Sequence, residues 1–560
     1  MARIDSKLLF VTTSPRTPAK MIPEIALLDR YFHGQRWNND TQAAFMQKLS
    51  EESFFLGKGE NDPAFSARDR INRAPKSLGL VKLKPTIELT PAGMALTTAR
   101  RTGEVLLRQL LKFQLPSPYH VPSPQAAHFW VKPYLELFRL IRDLGSLRFD
   151  ELKIFALQLT DYHDYDRVVS KIHQFRKDLA NYNGSYREFE HDYHRRELRE
   201  IYRHDIDTGR IKTRESHTTT VDAFLDKKAS NMRDYADACV RYLRSTEWVN
   251  VSHVGKSLSI QPDRLADVDY FLHHIDRNPC WVDDCPAYEA YLGSADQPRL
   301  LADDRAHLLR KLRESFPQAT PRPKATIDEL KHLYEDLLVR RKQAELDRQV
   351  TMIKDYSLFD DIVQKFDLLL HSAKSLYDPS LLLEWNTWRA MTMLDGGSVH
   401  ANLKFDDYGQ PLATAQGNMA DIVCDYKHFH LTVEVTLSTG QRQYETEGEP
   451  VARHLGQLKR KTAQPAYCLF LAPIISPGCI SHFYVLHKVD VAYYGGRSTI
   501  VPLPLDVFQT MVEASRSAPF VPSPEHIRSL FEYSNQAAAQ STNETEWFEA
   551  VKQRARHWLD

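Results

Sequence analysis

GNMADIVCDYKHFHLTVEVTL, residues 417–437, is the stretch on which the reading of this chain turns. Leu431, Val433, Val435 and Leu437 alternate with Thr432, Glu434 and Thr436. This is the period-two pattern of a half-buried strand and predicts that Glu434 points out of the core. Upstream, DIVCDY (421–426) predicts a second strand, and the KHFH segment between them can close a hairpin that returns Asp421 to the Glu434 end. Two carboxylates side by side suit a hard cation such as Mg²⁺, with water and a substrate phosphate filling the remaining coordination positions. Such a cation activates water and stabilises the leaving oxygen of a phosphodiester.

The next stretch, TGQRQYETEGEPVARHLGQLKRK (439–461), extends the acidic set. Pro450 suits the first turn of a helix. From there Val451, Leu455 and Leu458 fall on one stripe, while His454, Gln457 and Lys461 fall on the neighbouring one. Glu447 then sits just before that helix as a third carboxylate, within reach of a second metal or an attacking water. His454 is the side chain in this run whose ordinary pKa lies near neutrality, which suits proton transfer. The hairpin resembles the PD-(D/E)XK nuclease core with one departure: the position two residues after the glutamate, usually Lys, is Thr436.

Three blocks carry a closer resemblance: residues 421–458, LEWNTWRA (383–390) and FFLGKGENDPAFSARDRINRAPKSLGLVKL (54–83). Together they resemble the AlwI family of type IIS restriction endonucleases and their strand-nicking relatives. The resemblance implies that Asp421 and Glu434 bind the metal with the backbone of Val435 assisting, that Glu447 and His454 complete the site, and that Glu384 is an accessory glutamate. It also implies 5′-phosphate ends, double-stranded DNA as substrate and a cognate DNA methyltransferase in the same system. Thr436 is then no anomaly, because this family's pattern lacks the Lys.

Composition permits this reading without demanding it. Lys and Arg total 73 against 73 Asp and Glu, so no global basic field announces nucleic acid. Charge is nevertheless uneven. Arg68, Arg70, Arg73, Lys76, Lys82 and Lys84 stand against the single acid Asp69 between residues 66 and 84, a local phosphate-binding footprint. Six cysteines are scattered without a CxxC pair, which favours reduced thiols over a zinc site. No apolar run approaches eighteen residues and the N-terminal MARIDSKLLFVTTSPRTP is no signal peptide, so a soluble, cytoplasmic bacterial protein is expected.

A chain of 560 residues exceeds one core. The expected fold is multidomain α+β: two winged-helix-like DNA-recognition subdomains (1–116 and 117–278), a helical linker (279–380) and an α/β PD-(D/E)XK-like cleavage domain (381–560). In the first subdomain the order is helix, turn, helix and the hairpin LVKLKPTIELT, with Ser66 as cap of the helix carrying the three arginines. In the second, WVNVSHVGKSLSI (248–260) is a candidate wing. Its VGKS is no phosphate loop, since Asn250 stands where a glycine is required. His191, His194 and His204 read as a charged helix face, and DTGRIKTRESH (207–217) as a possible basic loop. In the linker, Thr326 and Glu329 form a capping box. The C-terminal strand candidates are AYCLFLAPII, HFYVLHK and TIVPLPLDVF, before a terminal amphipathic helix; Trp385 and Trp388 belong to the core.

These residues support a Mg²⁺-dependent endonuclease that reads an asymmetric site and cuts at a short fixed distance. Only one such constellation is found, so each engagement nicks one strand, and a double-strand break requires a transient homodimer or a small catalytic subunit. Two other readings stay open: a multi-wing DNA-binding regulator with an inert nuclease-like domain, and a repair or recombination nuclease that reads DNA structure.

Overall fold

The computed structural model describes the chain except residues 1, 5, 10–13, 53, 56–61, 213–219, 253–255, 374–375, 377, 395–396 and 416–417. It is helix-rich with several small sheets, and it divides into two compact units. One comprises Met1–Glu52 and Gly57–Glu335, the other Ser53–Leu56 and Asp336–Asp560. The boundary falls inside the helix Ile327–Lys354, whose start is the expected capping box: Thr326 and Glu329 exchange hydrogen bonds at 2.8 and 3.2 Å. The boundary thus falls within the 279–380 segment.

In the first unit, helices Asn39–Glu51 and Pro63–Ile71 precede a hairpin pairing Val81 with Leu89 and Lys82 with Glu88. The cap of the second helix is Asp62, which accepts from the Phe65 N–H at 2.9 Å, and not Ser66, which is buried within the helix. Asp followed by Pro at the first helical position is the stronger start signal. Further on, strands Val249–Val251 and Ser257–Ile260 pair antiparallel, and Leu147–Arg148 adds to the second. The Gly255 turn of that hairpin and part of the 207–217 segment lie outside the described residues.

The second unit is built on a five-stranded sheet: β1 (Ser398–Ala401), β2 (Ile422–Asp425), β3 (His430–Val435), β4 (Ala466–Ala472) and β5 (Ile500–Pro504), in spatial order β5-β4-β3-β2-β1. The β1, β2 and β3 strands are antiparallel neighbours, and β3, β4 and β5 are parallel. Parallel neighbours need long crossovers, supplied by helices. In chain order the α-helices that follow Ile327–Lys354 in this unit are α1 (Phe359–Ser372), α2 (Pro379–Leu394), α3 (Gly440–Lys461), α4 (Pro477–Lys488), α5 (Leu505–Ser517), α6 (Pro524–Gln540) and α7 (Glu544–Arg556). All seven residues of β4 are buried, as a central strand with both faces covered requires. Trp385 and Trp388 of α2 lie in this core.

Two strand expectations change. HFYVLHK is the body of α4, because Ser476 caps Cys479 and Pro477 opens the helix. TIVPLPLDVF contains β5, but the chain turns into α5 at Leu505.

Candidate active site

The expected hairpin forms, with Ile422 facing Val433 and Asp425 facing His430. One residue beyond β2, the Asp421 carboxylate accepts the backbone N–H of Val435 at 2.8 Å, which ties it to the end of β3 beside Glu434. Glu434, however, is only 6% exposed, and Thr432, two residues before it, only 1%. The expectation that it faces away from the core fails because β3 is a central strand. The α3 helix packs against β3 and brings His454 onto Glu434, with Nδ1 to Oε1 at 2.8 Å.

The α3 helix also starts earlier than Pro450 suggests. It begins at Gly440, so Pro450 is interior and Glu447 lies inside the helix instead of before it. Its first turns are anchored by the buried Gln443, whose Nε2 donates to the carbonyls of Ser438 and Ile474 and whose Oε1 accepts from Ser476 N. From inside α3, Glu447 Oε1 accepts from Thr436 Oγ1 at 2.9 Å and from Thr446 Oγ1 at 3.3 Å. Glu384, buried in α2, accepts from the Ala415 N–H at 2.9 Å through Oε2.

These four carboxyls destabilise one another's charge. Burial pushes Asp421 well above the ordinary carboxylate range, and Glu434 adds to the rise. Burial does the same to Glu434, with Glu447 and Glu384 contributing. Burial and then Asp421 raise Glu384. Glu447 is raised by burial, against the hydrogen bond from Thr436. His454 is pushed down to about 4, by burial first and then by the neighbouring Arg453. The imidazole is therefore neutral at physiological pH, and it brings no cation to the acidic set.

A crowded, desolvated set of oxygen ligands is the donor chemistry of a hard divalent cation. Among the described residues no three or more His, Cys, Asp or Glu side chains are gathered into a metal-holding set. Asp421, tied to the end of β3 beside Glu434, offers with it two oxygen ligands, which fits a cation that keeps several waters. A cleft of about 410 Å³ reaches this region, with Glu384, Val435 and Thr436 on its walls.

The residues of the basic footprint have diverse surroundings. Arg70 forms an ion pair of 2.8 Å with the buried Glu24, and Arg68 donates to Gln42 and Asn39 at 2.8 and 3.2 Å. Arg73 pairs with Asp69 at 2.6 Å. Lys76 lies over the Tyr119 ring at 4.5 Å, and burial lowers its pKa. Lys82 and Lys84 are exposed on the hairpin. His194 is buried against Met232, with burial pushing it down to about 3. All six cysteines are free, and among the described residues no helix is long and apolar enough to cross a membrane.

The sequence reading passed over Thr436, which donates to Glu447, and Gln443, which anchors the start of α3. Thr436 was visible only as a missing Lys. Gln443 carries no signal in one sequence, because two of its three partners, Ile474 and Ser476, are 31 and 33 residues away.

The chain is similar to two solved structures and matches one family model. The small subunit R.BspD6I2 of the heterodimeric restriction endonuclease R.BspD6I is 24% identical over 36% of this chain and 95% of its own, with a TM-score of 0.28. The restriction endonuclease FokI is 9% identical over 93% of this chain and 99% of its own, with a TM-score of 0.23. No curated protein matches the chain. The family model described as AlwI restriction endonuclease matches residues 76–511, a span that contains Glu384, Asp421, Glu434, Glu447 and His454. With most of its length matched in this way, the chain belongs to the AlwI restriction endonuclease family.

Proposed function

We propose that this protein is a type IIS-like DNA endonuclease that binds an asymmetric duplex sequence and hydrolyses a phosphodiester at a short fixed distance from it with Mg²⁺. The reading rests chiefly on the hydrogen bond from Val435 N–H to Asp421, which joins two carboxylate-bearing strands at one end of the sheet. The mixed five-stranded sheet with these carboxylates on β3 and beside β2 supports a PD-(D/E)XK-like cleavage domain within residues 381–560. The helix, helix and hairpin order of residues 39–89 supports a winged-helix reader in 1–116, with a second in 117–278 and helices of 279–380 between reader and cutter.

Asp421 and Glu434 would hold the metal, with the Val435 backbone and Glu447 completing its shell. Bound there, Mg²⁺ supplies Lewis-acid activation of water and neutralises charge on the phosphate. Both threonine hydroxyls on Glu447 use Oε1, which leaves Oε2 to orient the attacking water. His454 fixes the Glu434 rotamer, and its Nε2 is buried without a partner among the described residues, where it can accept a proton. Glu384 ties the segment before Asp421 to α2 through Ala415. With one such site, the protein nicks one strand per engagement. A double-strand break draws on a transient homodimer or a small catalytic subunit, and a cognate methyltransferase protects the host's own sites. The expected location is the bacterial cytoplasm.

The test is substitution of the paired carboxylates. Asp421→Ala and Glu434→Ala are each expected to abolish Mg²⁺-dependent cleavage of plasmid while sequence-specific duplex binding persists. A variant that retains a tenth of the wild-type rate with the same Mg²⁺ dependence would refute the metal-site assignment.

A further inference from the structure

A phosphodiester in the cleft brings negative charge to a site already crowded with carboxyls. At the position where PD-(D/E)XK sites usually carry Lys, this chain has Thr436, and its hydroxyl is committed to Glu447. His454 Nδ1 is taken up by Glu434 at 2.8 Å, and Arg453 is occupied by Glu449 at 3.0 Å and by Asn418. None of these side chains offers an uncommitted cation to a phosphate in the cleft.

The cleft wall that carries Glu384, Val435 and Thr436 also carries Ser438 and Arg442, and Arg442 is the one cationic side chain among its described lining. Arg442 is exposed, near the start of α3, and its guanidinium has no ion pair or hydrogen bond to another described residue. Its backbone is fixed nonetheless, since its carbonyl accepts from Thr446 Oγ1 at 2.9 Å and the adjacent Gln443 anchors the turn. The result is a fixed attachment point with an uncommitted planar donor facing a site that handles phosphates. An arginine fork matches two phosphate oxygens at once.

We propose that Arg442 is a phosphate-binding residue of the cleavage site, its guanidinium taking non-bridging oxygens of the DNA backbone in the cleft. It supplies there the positive charge that Thr436 does not. This rests on the endonuclease reading above, and the experiment separates the two.

Single-turnover cleavage is measured with saturating full-length enzyme and Mg²⁺, on a duplex spanning the mapped cut. Arg442→Ala is expected to lower the rate roughly 100-fold, as loss of a charge-stabilising donor does, and Arg442→Lys to recover part of it. Neutral methylphosphonates are then placed one at a time at the phosphates flanking the cut. The wild type is expected to lose roughly 10-fold at one position, and Arg442→Ala to lose nothing further at that same position. A purely structural role would leave the variant as sensitive as the wild type at every position. Wild-type cutting with an unchanged Arg442→Ala rate, or with undiminished methylphosphonate sensitivity in the variant, would overturn the role of Arg442 alone. Absence of any wild-type cleavage would overturn the endonuclease reading beneath it.

Discussion

Thr436 Oγ1 donates to Glu447 Oε1 across 2.9 Å, from just beyond the end of β3 to the interior of α3. The residue that replaces the usual Lys thus holds one oxygen of Glu447, the group proposed to orient the attacking water. Thr436→Val keeps the shape and removes the donor. A hydrogen bond of this kind contributes roughly 1–1.5 kcal/mol, so the cleavage rate should fall about 10-fold at unchanged DNA affinity. A single-turnover assay beside a binding titration reads both. An unchanged rate would remove Thr436 from the site's working parts.

The raised carboxyls make the metal-free protein weaker than its fold requires. A folded pKa above the unfolded value means that the native state holds more protons. The stabilising contribution of Asp421 and Glu434 is therefore complete below the unfolded value, near 4, and is lost as pH rises through the raised native value. Without metal, Tm should fall as pH rises above the ordinary carboxylate range, and Mg²⁺ should restore it by mass action. Asp421→Asn should raise the metal-free Tm at pH 8, by a few degrees if the gain is about 1 kcal/mol, while removing the Mg²⁺ response. Thermal melts with and without Mg²⁺ check this, and a lower Tm for the variant would contradict it.

The basic footprint divides into residues that build and residues that are free to bind. Arg70→Ala strands the buried Glu24 and should destabilise the first unit by roughly 2–3 kcal/mol. Lys82→Ala should leave stability unchanged, weaken binding to all duplexes alike and reduce the salt slope by about one. Melting curves and salt-dependent binding distinguish the two. Equal destabilisation by both substitutions would erase the division.

The parts of this protein legible in its sequence are those governed by local period and spacing. The Asp421–Glu434 hairpin follows from alternation, the Thr326 box from capping chemistry and the buried β4 from a seven-residue apolar strand. Burial of Glu434 was not legible, because a polar residue in an alternating strand looks exposed until a helix brings a partner such as His454 across 20 residues. The α3 start was misread because Pro450 is a strong local signal, whereas the anchors of the earlier turns come from Ile474 and Ser476. HFYVLHK has strand-like composition but obeys the Ser476–Pro477 cap before it. The Arg70–Glu24 pair spans 46 residues, and no spacing rule connects its two ends.

Strand choice and end position bear most directly on the central claim of one Mg²⁺-dependent site built on Asp421 and Glu434. Supercoiled plasmid is incubated with the full-length protein and Mg²⁺ over a wide range of enzyme concentrations, and the ends of the nicked and linear products are sequenced. The expected result is nicks at one fixed offset on one strand, with linear product later and dependent on enzyme concentration, and no product from Asp421→Ala. Linear product formed at a concentration-independent rate by a species that stays monomeric on DNA, or cutting that survives Asp421→Ala, would contradict the single-site account.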